Sequence, residues 1–214
     1  MLSLYFVRHG QTDLSLANSF CGSIDPPLNA NGMRMAEALA ARYGSERWAA
    51  IYASPRLRTR QTAAPTATEA QIDVQIAEGL QEIAYGQWEG RSEEEVQRSE
   101  PERFADWSAH PGRVSPPGGE TAVDIAARAM PVIESIRKNH SDGKVLVVSH
   151  KATLRVILCA LLGVDVDLFR ARIEQRVAAV SVVEFKKSGP LLQVLGDVSH
   201  LGRFAPDLVD SEGT

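Results

Sequence analysis

The residues best suited to chemistry are two histidines, each at the end of an apolar run. Arg8-His9-Gly10 follows Leu4-Tyr5-Phe6-Val7, and His150 closes the β-branched run Lys144-Val145-Leu146-Val147-Val148-Ser149. Such runs read as strands buried on both faces, so only their ends are open to a ligand, and in open α/β sheets ligands bind beyond the carboxyl ends of strands. His9 and His150 can therefore share one site. Arginines stand where that site would need positive charge. A third strand-like stretch, Ala49 to Ala53, leads into Ser54-Pro55-Arg56-Leu57-Arg58-Thr59-Arg60-Gln61-Thr62-Ala63. Pro55 suits the first turn of a helix, whose free N–H groups and neighbouring guanidinium forks fit the oxygens of a phosphate.

The motifs fall in a familiar order. Arg-His-Gly at 8–10, Ser-x-x-x-Arg-x-x-x-Thr-Ala at 54–63, Leu80-Gln81-Glu82 leading to Gly86-Gln87-Trp88-Glu89-Gly90, Gly118-Gly119-Glu120-Thr121, Val148-Ser149-His150 and Val198-Ser199-His200-Leu201 are all present. Together they resemble the histidine phosphatase superfamily in its phosphoglycerate-mutase-like branch, from about residue 3 to about residue 201. The resemblance implies a phosphohistidine mechanism. His9 would be the nucleophile; Arg8, Arg58 and His150 would cradle the phosphoryl oxygens; Glu82 would protonate the leaving oxygen. Physical chemistry agrees: a covalent intermediate splits the displacement in two, and phosphoryl transfer needs positioning and charge neutralisation above all. Arg8 and Arg58 disfavour a proton on His9, whereas a substrate dianion favours one on Glu82.

The chain departs from the family pattern at Ser15, where an Asn usually donates to the phosphate; the hydroxyl offers one donor in place of two. Arg176 stands near another usual Asn, and no role is carried onto it. His110 and His140, in polar segments, read as solvated, Arg56 and Arg60 as surface residues, and His200 as either a pocket cover or a packing residue.

Composition fits one α/β domain over 1–214. A net charge of −4 argues against nucleic acid as a general partner. Cys21 and Cys159 are isolated, and no metal-ligand spacing occurs, so neither metal nor cofactor is expected and reduced thiols in a cytoplasm are the simplest reading. No basic region precedes the short N-terminal apolar run, as a secretory signal would require, and no run approaches the ~20 apolar residues of a membrane span. Met33, Ala36, Ala40 and Tyr43 repeat at helical spacing. Thr121 with Asp124 looks like a helix start before the stripe Ile125, Ala129, Val132 and Ile136, with a kink expected at Pro131. Leu154, Ile157, Leu158, Leu161 and Leu162 make a helix face behind His150, and Ala178 to Phe185 and Leu191 to Leu195 read as strands around a Ser-Gly-Pro turn. The expected architecture is a three-layer α/β/α sandwich with a mainly parallel sheet.

Residues 83–120 read as a cap over the site. From Glu89 to Asp106 its acids outnumber its bases, and Arg113 stands alone before Pro116-Pro117, where mutases of the family carry paired arginines. A mutase must retain a bisphosphorylated intermediate, so this cap points to a phosphatase. The expected substrate is a small soluble phosphomonoester: phosphoserine, by resemblance to short bacterial metal-independent phosphoserine phosphatases, a phosphorylated sugar or sugar acid, or a nucleotide-loop precursor of cobalamin. Phosphoglycerate mutase and a non-catalytic phosphate binder are the alternatives, and a homodimer is compatible with the sequence. Phe20, Ile24, Tyr85 and the cap would set specificity.

Overall fold

A computed structural model describes residues 1–204. The last ten residues of the expected single domain lie outside the described part. Six strands form one sheet in the order β3-β2-β4-β1-β5-β6: β1 Leu2–Arg8, β2 Trp48–Ala53, β3 Val74–Ile76, β4 Gly143–Ser149, β5 Val180–Lys186 and β6 Gly189–Asp197. The first four in that order run parallel, β5 lies antiparallel to β1, and β6 antiparallel to β5.

The period of two along the central strands feeds a core on each side of the sheet. Leu4 and Phe6 of β1, with Val145 and Val147 of β4, pack with α6 (Ala122–Asn139) and α7 (Lys151–Leu162). Val7, Leu146 and Val148 point the other way, against α2 (Ala30–Tyr43) and α3 (Leu57–Ala70). The sandwich is thus three layers deep. Short helices α1 (Asp13–Leu16), α4 (Glu93–Ser99), α5 (Pro101–Ala109) and α8 (Phe169–Arg172) decorate one end of the sheet.

Two helix readings change in detail. On α2 the buried face is Met35, Ala36, Leu39 and Tyr43, while Met33 is exposed, because the stripe is set one residue from the one expected. Pro55 stands before the N-cap Arg56, so α3 starts later and Arg58 occupies its second position. The Thr121–Asp124 capping box is present as expected, and Pro131 lies within one continuous helix.

Strand register places the chemistry. Arg8 pairs with Ser149 across β1 and β4. His9 N–H then donates to Ser149 C=O at 3.0 Å, and Ser54 N–H to Val148 C=O at 3.1 Å. Three adjacent parallel strands therefore end together, with His9, His150 and Ser54 just past their carboxyl ends.

Candidate active site

A pocket of about 540 Å³ opens at that end, and Arg8, His9, Ser15, Arg58 and Glu82 all line it. His150 lies beneath it, fully buried, its ring centroid 5.2 Å from that of His9.

The tautomer of His9 follows from its partner. Nδ1 lies 2.8 Å from Gly10 C=O; a carbonyl only accepts, so Nδ1 carries the proton and Nε2 keeps its lone pair. Burial first, then the charges of Arg58 and Arg8, hold the His9 pKa well below 6.5, with the Gly10 carbonyl opposing. His150 is shifted the same way, by burial and then by Arg58 and His9. Both imidazoles are therefore neutral at pH 7.

That neutrality has a stability consequence. Each histidine has a folded pKa below its unfolded value, so its contribution is complete above pH 6.5 and is lost as pH falls below it. The loss is up to ~1.4 kcal/mol per pH unit for each group. Urea midpoints should drop from pH 7 to pH 5, and His150→Asn should make that slope shallower. An equal slope in the variant would show that His150 does not titrate with folding.

Arg58 is completely buried at the start of α3. Its two terminal nitrogens donate to Ile24 C=O at 2.7 Å and Gly22 C=O at 3.2 Å, and Asp25 lies 3.5 Å away. Its Nε and the Nδ1 of His150 are buried and have no hydrogen-bond partner among the described residues. Unmet polar atoms of this kind cost free energy unless a ligand satisfies them. Arg8 donates to Gln175 C=O at 3.0 Å, and Gln175 is itself braced by Ala179 C=O and the Ser181 hydroxyl.

The Ser54–Ala63 motif explains itself in the structure. Ser54 Oγ lies 2.8 Å from His150 Nε2. Thr62 Oγ1, eight residues on, accepts from Gly10 N–H at 2.9 Å and donates to Arg58 C=O at 2.7 Å. The loop before α3 and the first turns of that helix thus supply the guanidinium and tie it to both histidine loops. Gly10 is required there, since a Cβ would stand 2.7 Å from Gly32 C=O.

Glu82 reaches the start of α7 from a separate segment. Its Oε1 accepts from Ile83 N–H at 3.0 Å and Thr153 N–H at 3.2 Å, and Oε2 from Ala152 N–H at 3.3 Å. The carboxylate does the capping that His150, the N-cap residue, leaves undone. Its backbone is clamped as well. Arg128 donates to the carbonyls of Gly79, Gln81 and Glu82 and is gripped by Glu120 at 2.8 and 3.0 Å. The Gly-Gly-Glu-Thr turn therefore serves to aim the Leu-Gln-Glu segment. Arg128 was not legible as a site residue, and Glu120 only as part of the Gly-Gly-Glu-Thr motif; Glu120 lies just before the Thr121 N-cap of α6 and Arg128 within that helix, so only the fold brings them together.

Other expectations need correction. Ser15 lines the pocket, but its hydroxyl donates to Thr12 C=O at 2.9 Å and accepts from Thr12 N–H, closing the capping box of α1. Its single proton is already used, which weakens it as a phosphate donor. His200 packs at the edge of Tyr43, and Ile24 contributes its carbonyl to Arg58; neither they nor Arg176 line the pocket. His140 is partly buried, with Nε2 3.2 Å from the Tyr52 hydroxyl, whereas His110 is exposed beside Asp167. Arg60 is exposed and Arg56 half-buried.

The cap reading changes most. Of residues 83–120, only Tyr85 and Glu93 line the pocket. Glu94, Glu95, Glu102 and Asp106 are exposed, and Glu100 pairs with Arg91 at 2.8 Å. Glu93 apart, the cap acids therefore do not line the pocket. The outer wall comes instead from α7 and α8, through Lys151, Arg155, Arg170 and Arg172. An aromatic cluster of Phe20, Trp88, Phe104 and Trp107 stiffens the cap behind it. Cys21 also lines the pocket; burial raises its thiol pKa to about 11, which keeps it protonated. Among the described residues no cluster of His, Cys, Asp and Glu could hold a metal ion, and no helix is long and apolar enough to cross a membrane.

Known proteins resemble this chain in sequence and fold. The sequence profile of the histidine phosphatase superfamily (branch 1) matches residues 4–198. Phosphoserine phosphatase 1 of Hydrogenobacter thermophilus is 33% identical over 204 residues, 95% of this chain and 96% of that protein. The probable phosphoglycerate mutase GpmB of Proteus mirabilis is 33% identical over 98% of this chain and 99% of its own length. Among solved structures, YhfR of Bacillus stearothermophilus superposes with a TM-score of 0.87 at 29% identity, covering 94% of this chain and all of that one. The chain belongs to the histidine phosphatase superfamily, branch 1, and is a phosphoric monoester hydrolase of that family.

Proposed function

We propose that His9 is the nucleophile of a phosphatase acting on a small phosphomonoester through a phosphohistidine intermediate. The observation that carries this reading is a neutral imidazole whose Nε2 lone pair is available in a pocket shared with Arg8, Arg58 and Glu82. Nε2 attacks phosphorus as the ester P–O bond breaks, and Glu82 gives its proton to the departing alkoxide. Arg8, Arg58 and the unmet nitrogen of His150 receive the equatorial oxygens. A water then attacks the phosphohistidine while the Glu82 carboxylate takes its proton. The P–N bond breaks, and neutral His9 and inorganic phosphate are restored.

The substrate class is phosphoserine or a phosphorylated sugar or sugar acid, supported by the phosphoserine phosphatase among the relatives. A cytoplasmic location fits such a substrate and the free thiols of Cys21 and Cys159. Guanidinium groups supply the charge neutralisation that Mg²⁺ supplies in other phosphoryl-transfer sites, so EDTA should leave the rate unchanged. Complete loss on chelation, restored by a divalent ion, would contradict that. The mutase reading draws on one observation, the basic outer wall, which could retain a bisphosphate. Phosphate release from 3-phosphoglycerate, measured with and without 2,3-bisphosphoglycerate, decides between them. Free phosphate without accumulation of 2-phosphoglycerate is expected, and efficient isomerisation would select the mutase.

A further inference from the structure

His9 and His150 serve one site with opposite needs. A nucleophile must present a lone pair, whereas a group that holds phosphoryl oxygens must present an N–H. The Gly10 carbonyl settles the sense of the His9 ring. His150 has no such one-way partner. Its Nε2 lies 2.8 Å from Ser54 Oγ, a hydroxyl able to donate or accept, and its buried Nδ1 meets no hydrogen-bond partner among the described residues. Which nitrogen of His150 carries the proton is therefore fixed by what Ser54 does with its own.

The surroundings of Ser54 leave its proton one destination. The residue is fully buried, and its Oγ accepts from Arg56 N–H at 3.4 Å. Among the described residues His150 Nε2 is the acceptor within reach of the hydroxyl. Were the imidazole proton on Nε2, the hydroxyl proton would be buried without an acceptor, and Nδ1 would offer phosphoryl oxygens a lone pair. With the imidazole proton on Nδ1, both protons are used. Ser54 is also held at each end of its backbone: its N–H donates to Val148 C=O at 3.1 Å, and its C=O accepts from Thr59 Oγ1 at 2.8 Å. Val148 belongs to β4, just before His150, so the sheet itself aligns the two side chains.

We propose that Ser54 is a positioning residue of the reaction: its hydroxyl donates to His150 Nε2 and holds His150 in the Nδ1–H form, a hydrogen-bond donor to the transferring phosphoryl group. The proposal rests on the phosphatase reading above. Both histidines then carry their proton on Nδ1, and the fold uses opposite ends of the ring. His9 spends Nδ1–H on Gly10 and offers Nε2; His150 turns Nε2 to Ser54 and offers Nδ1–H. Burial and Arg58 keep His150 uncharged, so this tautomer is the form in which its free nitrogen can donate.

Long-range ¹H–¹⁵N correlation spectra of protein labelled with ¹⁵N-histidine read the tautomer directly, with His150 assigned by its loss in His150→Asn. A protonated Nδ1 and an unprotonated Nε2 are expected for His150 in the native protein. In Ser54→Ala the Nε2–H form should appear, and kcat should fall by roughly tenfold to a hundredfold, the loss typical when the outer hydrogen-bond partner of a working imidazole is removed. Ser54→Thr keeps the hydroxyl and should restore the native tautomer and most of the rate. Nε2–H on His150 in the native protein would overturn the proposal without any change at Ser54. A Ser54→Ala protein that changes tautomer but not kcat would overturn it too, and so would one that loses rate with the tautomer unchanged, which would leave Ser54 a packing residue. The spectra do not depend on turnover. Failure of the native protein to hydrolyse p-nitrophenyl phosphate would instead overturn the phosphatase reading, and the role of Ser54 with it, whatever tautomer is seen.

Discussion

His9→Ala should lower kcat by on the order of 10⁴–10⁶-fold, the scale seen when a covalent nucleophile is removed, while the affinity for substrate changes less than about tenfold. The separation follows from the geometry. His9 touches the phosphoryl group only through Nε2, whereas the anion is held by Arg8, Arg58 and His150, none of which hydrogen-bonds to the His9 ring. Calorimetric binding of substrate to the variant, set beside its residual rate, checks both halves. Comparable losses in binding and rate would mean that His9 shapes the pocket and does not attack phosphorus.

Glu82→Gln should produce the second largest effect, and a selective one. The amide keeps the shape of the carboxyl group but cannot deliver a proton. Esters with poor alcohol leaving groups should slow by the ~10²–10⁴-fold typical of general acid catalysis. p-Nitrophenyl phosphate, whose leaving group needs little protonation, should lose less in the phosphorylation step. Dephosphorylation uses the same carboxylate as a base, so single-turnover kinetics must separate the two steps. The variant also tests a structural duty, because Glu82 accepts from Ala152 and Thr153 N–H at the start of α7. A thermal midpoint close to that of the native protein would show that the amide oxygen still caps the helix. Equal phosphorylation losses for both kinds of ester would leave Glu82 only that capping role.

Much of the site was legible because its residues end elements with strong patterns. The apolar runs before His9 and His150 mark strands whose register then forces the two rings together. Glu82 was different. It sits after a short 3-10 turn with no periodicity of its own, and only the resemblance singled it out. Arg58 emerged from both sources, although Pro55 misplaced the helix start by two positions. The basic wall was missed because Lys151, Arg155, Arg170 and Arg172 come from two helices, one of them four residues long, that only the fold brings together. The cap acids misled for the complementary reason. A charge run in sequence does not say which way its side chains face, and most of these face away from the pocket. Ser15 shows the same limit on a smaller scale, since its hydroxyl is used by its own helix cap.

The most direct measurement is the identity of the phosphorylated atom. Turnover quenched rapidly without acid, followed by proteolysis at alkaline pH and mass spectrometry, should yield one acid-labile phosphate, located on His9 and absent from His9→Ala. The account predicts that the label appears at the rate of the first alcohol burst. A phosphate found on His150 with His9 unmodified, or no covalent species at a rate-competent level, would contradict it.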